Sequence, residues 1–113
     1  MSRPELVKVG SMATVTAQSA IKHLCPFKDE IDTGTIAISW VCRGFTIELH
    51  SLASYLNSYA DNAISHEDLA ALIAADLQTL GDGIAVRSVT VRFTTAGIDV
   101  EVSRAVPVDA LDD

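Results

Sequence analysis

Thr33-Gly34-Thr35-Ile36-Ala37-Ile38-Ser39-Trp40-Val41-Cys42 is the stretch that decides the fold. Ile36, Ile38, Trp40 and Cys42 recur at every second position, with Thr35, Ala37, Ser39 and Val41 between them. In an extended chain successive side chains point to opposite faces, so this run predicts a strand with one apolar face. It is rich in β-formers and is followed by Arg43-Gly44, a turn signal. Upstream, Ala13 to Gln18 alternates more weakly, as an edge strand does.

Downstream the period lengthens. Leu49, Leu52, Leu56 and Tyr59 fall on one helical stripe, and Asp61-Asn62-Ala63 ends that helix. A second helix is predicted from Ser65, whose hydroxyl suits the cap position, with Asp68 three residues on as a variant capping box. Its expected buried stripe is Leu69, Leu72, Ile73, Leu77 and Leu80, and Gly81-Asp82-Gly83 closes it. Alternation returns from Ile84 to Phe93 and from Gly97 to Val102, joined by a short Thr94–Gly97 hairpin connection. The order strand, strand, helix, helix, strand, strand predicts an α+β fold, an antiparallel sheet with two helices on one face. Its open edges make assembly through the sheet a natural expectation.

The chain has 113 residues, 15 acids against 8 bases and a formal charge of −7. That length suits one domain over 1–113, with the ends 1–10 and 107–113 expected to be loose. No apolar run reaches the roughly 18 residues of a membrane span, and there is no secretory h-region. Two cysteines make no disulfide framework, so a cytoplasmic location is expected. The acidic balance speaks against nucleic-acid binding over the whole surface, and leaves Arg43, Arg87, Arg92 and Arg104 to cluster across an oligomer as the one local basic patch to expect.

Standard catalytic motifs are missing, so chemistry has to be sought in polar residues that the periodicity does not require. Cys25, in His23-Leu24-Cys25-Pro26, has Lys22, His23 and Lys28 near it in sequence, a setting that suits a nucleophilic thiol. Considered by itself, it reads more readily as a small buried hydrophobe. Cys42, on the Ile-Ile-Trp face, reads as core. Asp32 is a turn aspartate within reach of Cys25 as a general acid. Glu48 and Glu67 stand at helix starts, where acids complement the macrodipole, and Glu67 can also accept two hydrogen bonds from a guanine-like edge. His23, His50 and His66 show no ligand spacing, and no metal site is expected.

His23-Leu24-Cys25-Pro26, Asp32, Ile47-Glu48-Leu49-x-Ser51-Leu52 and Ser65-His66-Glu67-Asp68, in this order and spacing, resemble the QueF family of 7-cyano-7-deazaguanine nitrile reductases. The resemblance continues loosely through Asp76-Leu77 to Phe93-Thr94. It implies the tunnelling fold, subunits closing side by side into a barrel-like homo-oligomer, and active sites at subunit interfaces. By the same resemblance Cys25 is the nucleophile that forms a thioimide with the nitrile, and Asp32 the proton donor and acceptor. Ile47, Glu48 and Leu49 line the base pocket, and His66 with Glu67 binds the deazaguanine.

Departures from the reductases refine the expectation. Their E-S-K-S-x-K stretch, linked to NADPH, is here Glu48-Leu49-His50-Ser51-Leu52-Ala53, and their Arg-Gly-Gly is Thr95-Ala96-Gly97. Both lysines and the arginine are missing, and each charge-assisted phosphate contact is worth about 1.5–3 kcal/mol. His50 and Ser51 mark the degenerate cofactor motif, and no cofactor is expected unless the chain is a reductase. The pattern resembles more closely the shorter QueF-like amidinotransferases, in which ammonia discharges the thioimide to a formamidine. The substrate is then a deazapurine nitrile, free or within a nucleoside or tRNA. An NADPH-dependent reductase and a non-catalytic purine- or pterin-binding protein are the alternatives.

Overall fold

A computed structural model describes residues 3–106. The 107–113 tail expected to be loose lies outside the described residues. Four strands form an antiparallel sheet in the order β2-β3-β5-β6: β2 Thr14–Leu24, β3 Ile31–Cys42, β5 Ile84–Thr95 and β6 Ile98–Ala105. Two helices, α1 Leu49–Asn57 and α2 His66–Gln78, separate the strand pairs, with a 3-10 turn at Ser58–Asp61. This is the predicted α+β order. Among the described residues no helix is long and apolar enough to cross a membrane.

The apolar face read from β3 forms the centre of the core: Ile36, Ile38, Trp40 and Cys42 are all buried. They meet Val86, Val89, Val91 and Phe93 of β5 beneath the two helices. The β3–β5 register shifts between Ser39 and Trp40, where an extra β5 residue is accommodated. Such a bulge adds local twist without disturbing the buried alternation on either side. Ala96 and Gly97, both at positive φ, make the two-residue turn between β5 and β6.

Four expectations need correction. The N-terminal ten residues are not loose throughout: β1 Leu6–Lys8 pairs with β4 Phe45–Ile47, and Pro4 is buried. The Glu48 N–H donates to the Glu5 carbonyl, so this segment serves as the partner that β4 otherwise lacks. Strand β2 runs on to Leu24, well past Gln18, because all eleven of its residues find β3 partners. In α2 the buried face is Leu69, Ala70, Ile73, Ala74 and Leu77, while Leu72 is 42 % exposed and Leu80 is only half-buried. Ala70 and Ala74 occupy the buried stripe in place of Leu72 and Leu80. Leu49 is likewise exposed, and Tyr55 takes its place on the buried side of α1.

Both helix starts are capped by side chains. The Ser65 hydroxyl accepts from the Asp68 N–H, as predicted. Glu48 accepts from the His50 and Ser51 N–H groups. Tyr55 and Tyr59 tie α1 to α2 through Asp76: the Tyr55 hydroxyl donates to Asp76 Oδ2 at 2.6 Å and lies 2.7 Å from the Tyr59 hydroxyl. Burial, followed by that carboxylate, holds the Tyr55 phenol far above its usual range.

Candidate active site

The β2–β3 hairpin sets the site. Its register pairs His23 with Asp32 and Leu24 with Ile31, and the Cys25 N–H closes the loop on the Glu30 carbonyl. Period two from Ile21 turns His23 into the core, where it is 0 % exposed, and Asp32 beside it is 8 % exposed. The chain then returns to this hairpin from α1. The Leu24 N–H donates to the Asn62 carbonyl and the Ile64 N–H to the Leu24 carbonyl, which fixes the start of α2 against the end of β2. His66, the first residue of α2, is thereby delivered to His23 and Asp32.

His23 Nε2 and His66 Nδ1 are 2.9 Å apart, and each histidine has a ring nitrogen 3.9 Å from Asp32 Oδ2. The Thr95 hydroxyl, at the end of β5, lies 3.2 Å from His66 Nε2 and 3.4 Å from Asp32 Oδ1. Phe93 is the platform: the His66 ring stacks on it at 4.3 Å, and His23 meets it edge-on at 4.9 Å. Phe93 in turn requires Gly34, because a Cβ there would press on the ring and on the Arg92 carbonyl.

Proton positions follow from the partners. A carbonyl only accepts, so His23 Nδ1, 3.0 Å from the Leu24 oxygen, carries a hydrogen. With both rings neutral, His23 Nε2 is a lone pair that accepts from His66 Nδ1–H, which leaves His66 Nε2 bare. Burial first, then the neighbouring His23, lowers the His66 pKa and favours that neutral form. The bare nitrogen and the Asp32 carboxylate then face a single hydroxyl proton, that of Thr95. The cluster is one hydrogen short, an arrangement suited to taking up and returning a proton.

Of the residues singled out from sequence, Cys25, Asp32 and His66 lie in or beside this hairpin cluster, with Cys25 half-buried in the loop next to it. Glu67 is exposed on the first turn of α2. The others stand elsewhere. Ile47 is buried in β4, opposite Leu6 in the small β1–β4 sheet, and Glu48 is engaged in capping α1, which holds its carboxyl below its ordinary value through the His50 and Ser51 N–H groups. The exposed His50 ring adds a bond to Glu48. Leu49 lines an open apolar groove of about 360 Å³ with Val15, Ala17, Ile38, Leu52 and Leu56. Trp40 Nε1–H bonds the Thr46 hydroxyl, so β4 sits at the Trp40 end of β3. Eight residues of strand separate that end from Asp32, roughly 25 Å.

Sequence reasoning missed His23, Thr95 and Phe93 as site residues. The period-two signal for His23 was present, since Ile21 and His23 continue the alternation of Val15 and Ala17. Thr95 carries no signal of its own, because only the β3–β5 pairing, which sets Gly34 opposite Phe93, brings it to Asp32.

Residues 32–107 match the model of the family described as QueF-like protein. Relatives named NADPH-dependent 7-cyano-7-deazaguanine reductase include one from Trichormus variabilis, 38 % identical over 73 residues, covering 65 % of this chain and 53 % of the relative. Another, from Microcystis aeruginosa, is 42 % identical over 53 residues, 47 % of this chain and 40 % of that protein. The chain thus spans about half the length of these curated relatives. A solved structure described as the archaeosine synthase QueF-Like in the apo form superposes with a TM-score of 0.73, covering 83 % of this chain and 96 % of that one at 22 % identity. That likeness establishes the tunnelling fold expected from the motifs. With more than half of its residues matched, this chain belongs to the QueF-like protein family.

Proposed function

We propose that this chain is a thioimide-forming enzyme acting on the nitrile of a 7-cyano-7-deazaguanine group, with ammonia as the second substrate and a formamidine as product. The observation that carries the reading is the hairpin that holds Asp32 in a proton-exchanging cluster beside the Cys25 loop. Asp32 takes the proton of the Cys25 thiol, the thiolate adds to the nitrile carbon, and Asp32 returns that proton to the nitrogen as C≡N becomes C=N. Ammonia then attacks the same carbon, the thiolate leaves, and the protons of ammonia are redistributed over the two amidine nitrogens. No reductant is consumed, in keeping with His50 and Ala53 in place of the two lysines.

The base pocket is the part that one chain does not assemble. Glu48 caps α1 and Leu49 lines the groove over Ile36 and Ile38, so neither is part of the Asp32 cluster. The open edges of β2 and β6 support a homo-oligomer in which a neighbouring copy completes the pocket. The names of the relatives favour a second reading, NADPH-dependent reduction of the same thioimide to an aminomethyl group.

Intact mass after incubation with 7-cyano-7-deazaguanine tests both. An adduct that disappears in Cys25→Ala is expected, and ammonium, not NADPH, should discharge it. No adduct on the free base or on the base within tRNA overturns the reading, and NADPH oxidation at the rate of discharge replaces it with the reductase.

A further inference from the structure

We propose that His23, Asp32 and His66 form a binding site for one divalent transition-metal ion of the zinc class, held by two imidazoles and a carboxylate. Ligand atoms of all three lie within 4.8 Å of one another. They come from β2, β3 and α2, elements locked together by the Leu24–Asn62 and Ile64–Leu24 backbone bonds. The donor set suits the class, because imidazole nitrogen with one carboxylate is a familiar zinc, iron or cobalt environment.

The hydrogen-bond ledger points the same way. His23 Nε2 and His66 Nδ1 face each other at 2.9 Å with a single proton between them. Let an ion take that proton's place, with the proton moved to the other nitrogen of the His66 ring. His66 Nε2–H then donates to the Thr95 hydroxyl, which donates to Asp32 Oδ1, while His23 Nδ1–H stays on the Leu24 carbonyl. Both ligand rings thereby have their second nitrogen anchored on oxygen, the outer arrangement that orients metal-binding histidines. Asp32 Oδ2, 3.9 Å from His23 Nε2, is the third donor. No proton is gained or lost, and the missing hydrogen of the metal-free cluster is no longer needed.

For the histidine pair and for His23 with Asp32 the fit needs only small movements. Donors on a tetrahedral ion with bonds of about 2.0–2.1 Å stand roughly 3.3–3.5 Å apart. The 2.9 Å histidine pair opens by about half an ångström, and the 3.9 Å separation to Asp32 closes by about as much.

Cobalt(II) and zinc(II) titrated into chelator-stripped protein test the site without any nitrile, so the result is independent of the proposed reaction. One equivalent of cobalt is expected to bind and to develop the visible bands of a low-coordinate site, and zinc should displace it. His66→Ala and His23→Ala should each weaken binding by at least tenfold, Thr95→Val by a smaller factor, and His50→Ala not at all. Absence of binding to the wild type, retention in His66→Ala, or loss in His50→Ala overturns the proposal. Because the buried His23→Ala variant risks misfolding, X-ray absorption on the zinc-loaded wild type gives a second measurement. Two imidazoles in the shell are required, and fewer refute the site.

Discussion

Gly34→Ala is the sharpest probe of how the fold supports the site. A methyl at this position would stand 2.6 and 2.8 Å from two Phe93 ring carbons, and closer still to the Arg92 carbonyl oxygen. Ordinary contact is 3.4–4 Å, so the ring has to retreat by roughly an ångström. The carbonyl belongs to the β3–β5 ladder and cannot yield without lengthening its bonds. Overpacking of this kind costs about 1–3 kcal/mol. The stacked Phe93–His66 pair contributes about 0.5–1.5 kcal/mol, part of which is lost as the ring moves. A total of about 2–4 kcal/mol is a large fraction of the 5–15 kcal/mol typical of a domain. In urea, with a slope of about 1–3 kcal/mol per molar, the midpoint should fall by about 1–2 M. Gly10→Ala is the matched control, since nothing lies within 4 Å of a Cβ there. Thioimide formation should slow in the Gly34 variant under conditions where it remains folded, because His66 follows the ring. Equal midpoints for the two variants, or an unchanged adduct rate in folded Gly34→Ala, would refute the chain of contacts from Gly34 through Phe93 to His66.

Thr95→Val removes the one hydroxyl proton between His66 and Asp32, and adduct formation should slow about tenfold or more, with Thr95→Ser restoring it; an unchanged rate excludes a role in proton transfer. The pH dependence of stability has a definite sign. The His66 pKa is lowered in the fold from an ordinary value of 6.5, so below 6.5 the unfolded chain binds the proton more readily. Stability is therefore full above that pH and declines as pH drops through the window beneath it, which urea midpoints across this range would reveal; His66→Asn should flatten the slope. Tyr55→Phe strips Asp76 of its 2.6 Å donor, leaving Tyr59 at 3.4 Å, and should cost about 1.5–3 kcal/mol in urea unfolding without altering the adduct rate.

Strong periodicity was legible wherever one face is wholly buried. Ile36, Ile38, Trp40 and Cys42 could be assigned because every second residue is apolar, and Ser65 because its cap is local. Strand β2 was truncated at Gln18 for the opposite reason: Ser19 interrupts the inward series, and pairing with β3 rather than apolar content makes those residues a strand. The pairing of β1 with β4 spans some forty residues of intervening chain, and nothing in Leu6–Lys8 announces it. The site divides along the same line. Cys25, Asp32 and His66 were found by a resemblance of ordered motifs, whereas the contact of His23 with His66 exists only through the register of a hairpin and the return of α1.

Two buried polar networks in this chain show why hydrogen bonding alone does not mark a functional site. In the first, Tyr59 can donate to Tyr55 and Tyr55 to Asp76, so each proton has an acceptor and the carboxylate faces only donors. Such a network is closed and rigid, and it fastens α1 to α2. In the second, a carbonyl fixes the tautomer of His23, which fixes that of His66 and leaves a bare nitrogen and a carboxylate with one hydroxyl between them. Shape alone would place leucine at position 23, since burying an imidazole costs free energy that only its partners offset. What the imidazole adds is an open position for positive charge, enclosed by a 0 % exposed ring and an 8 % exposed carboxylate. A proton in transit and a divalent ion are the two ways of filling it, and both draw on the same three side chains.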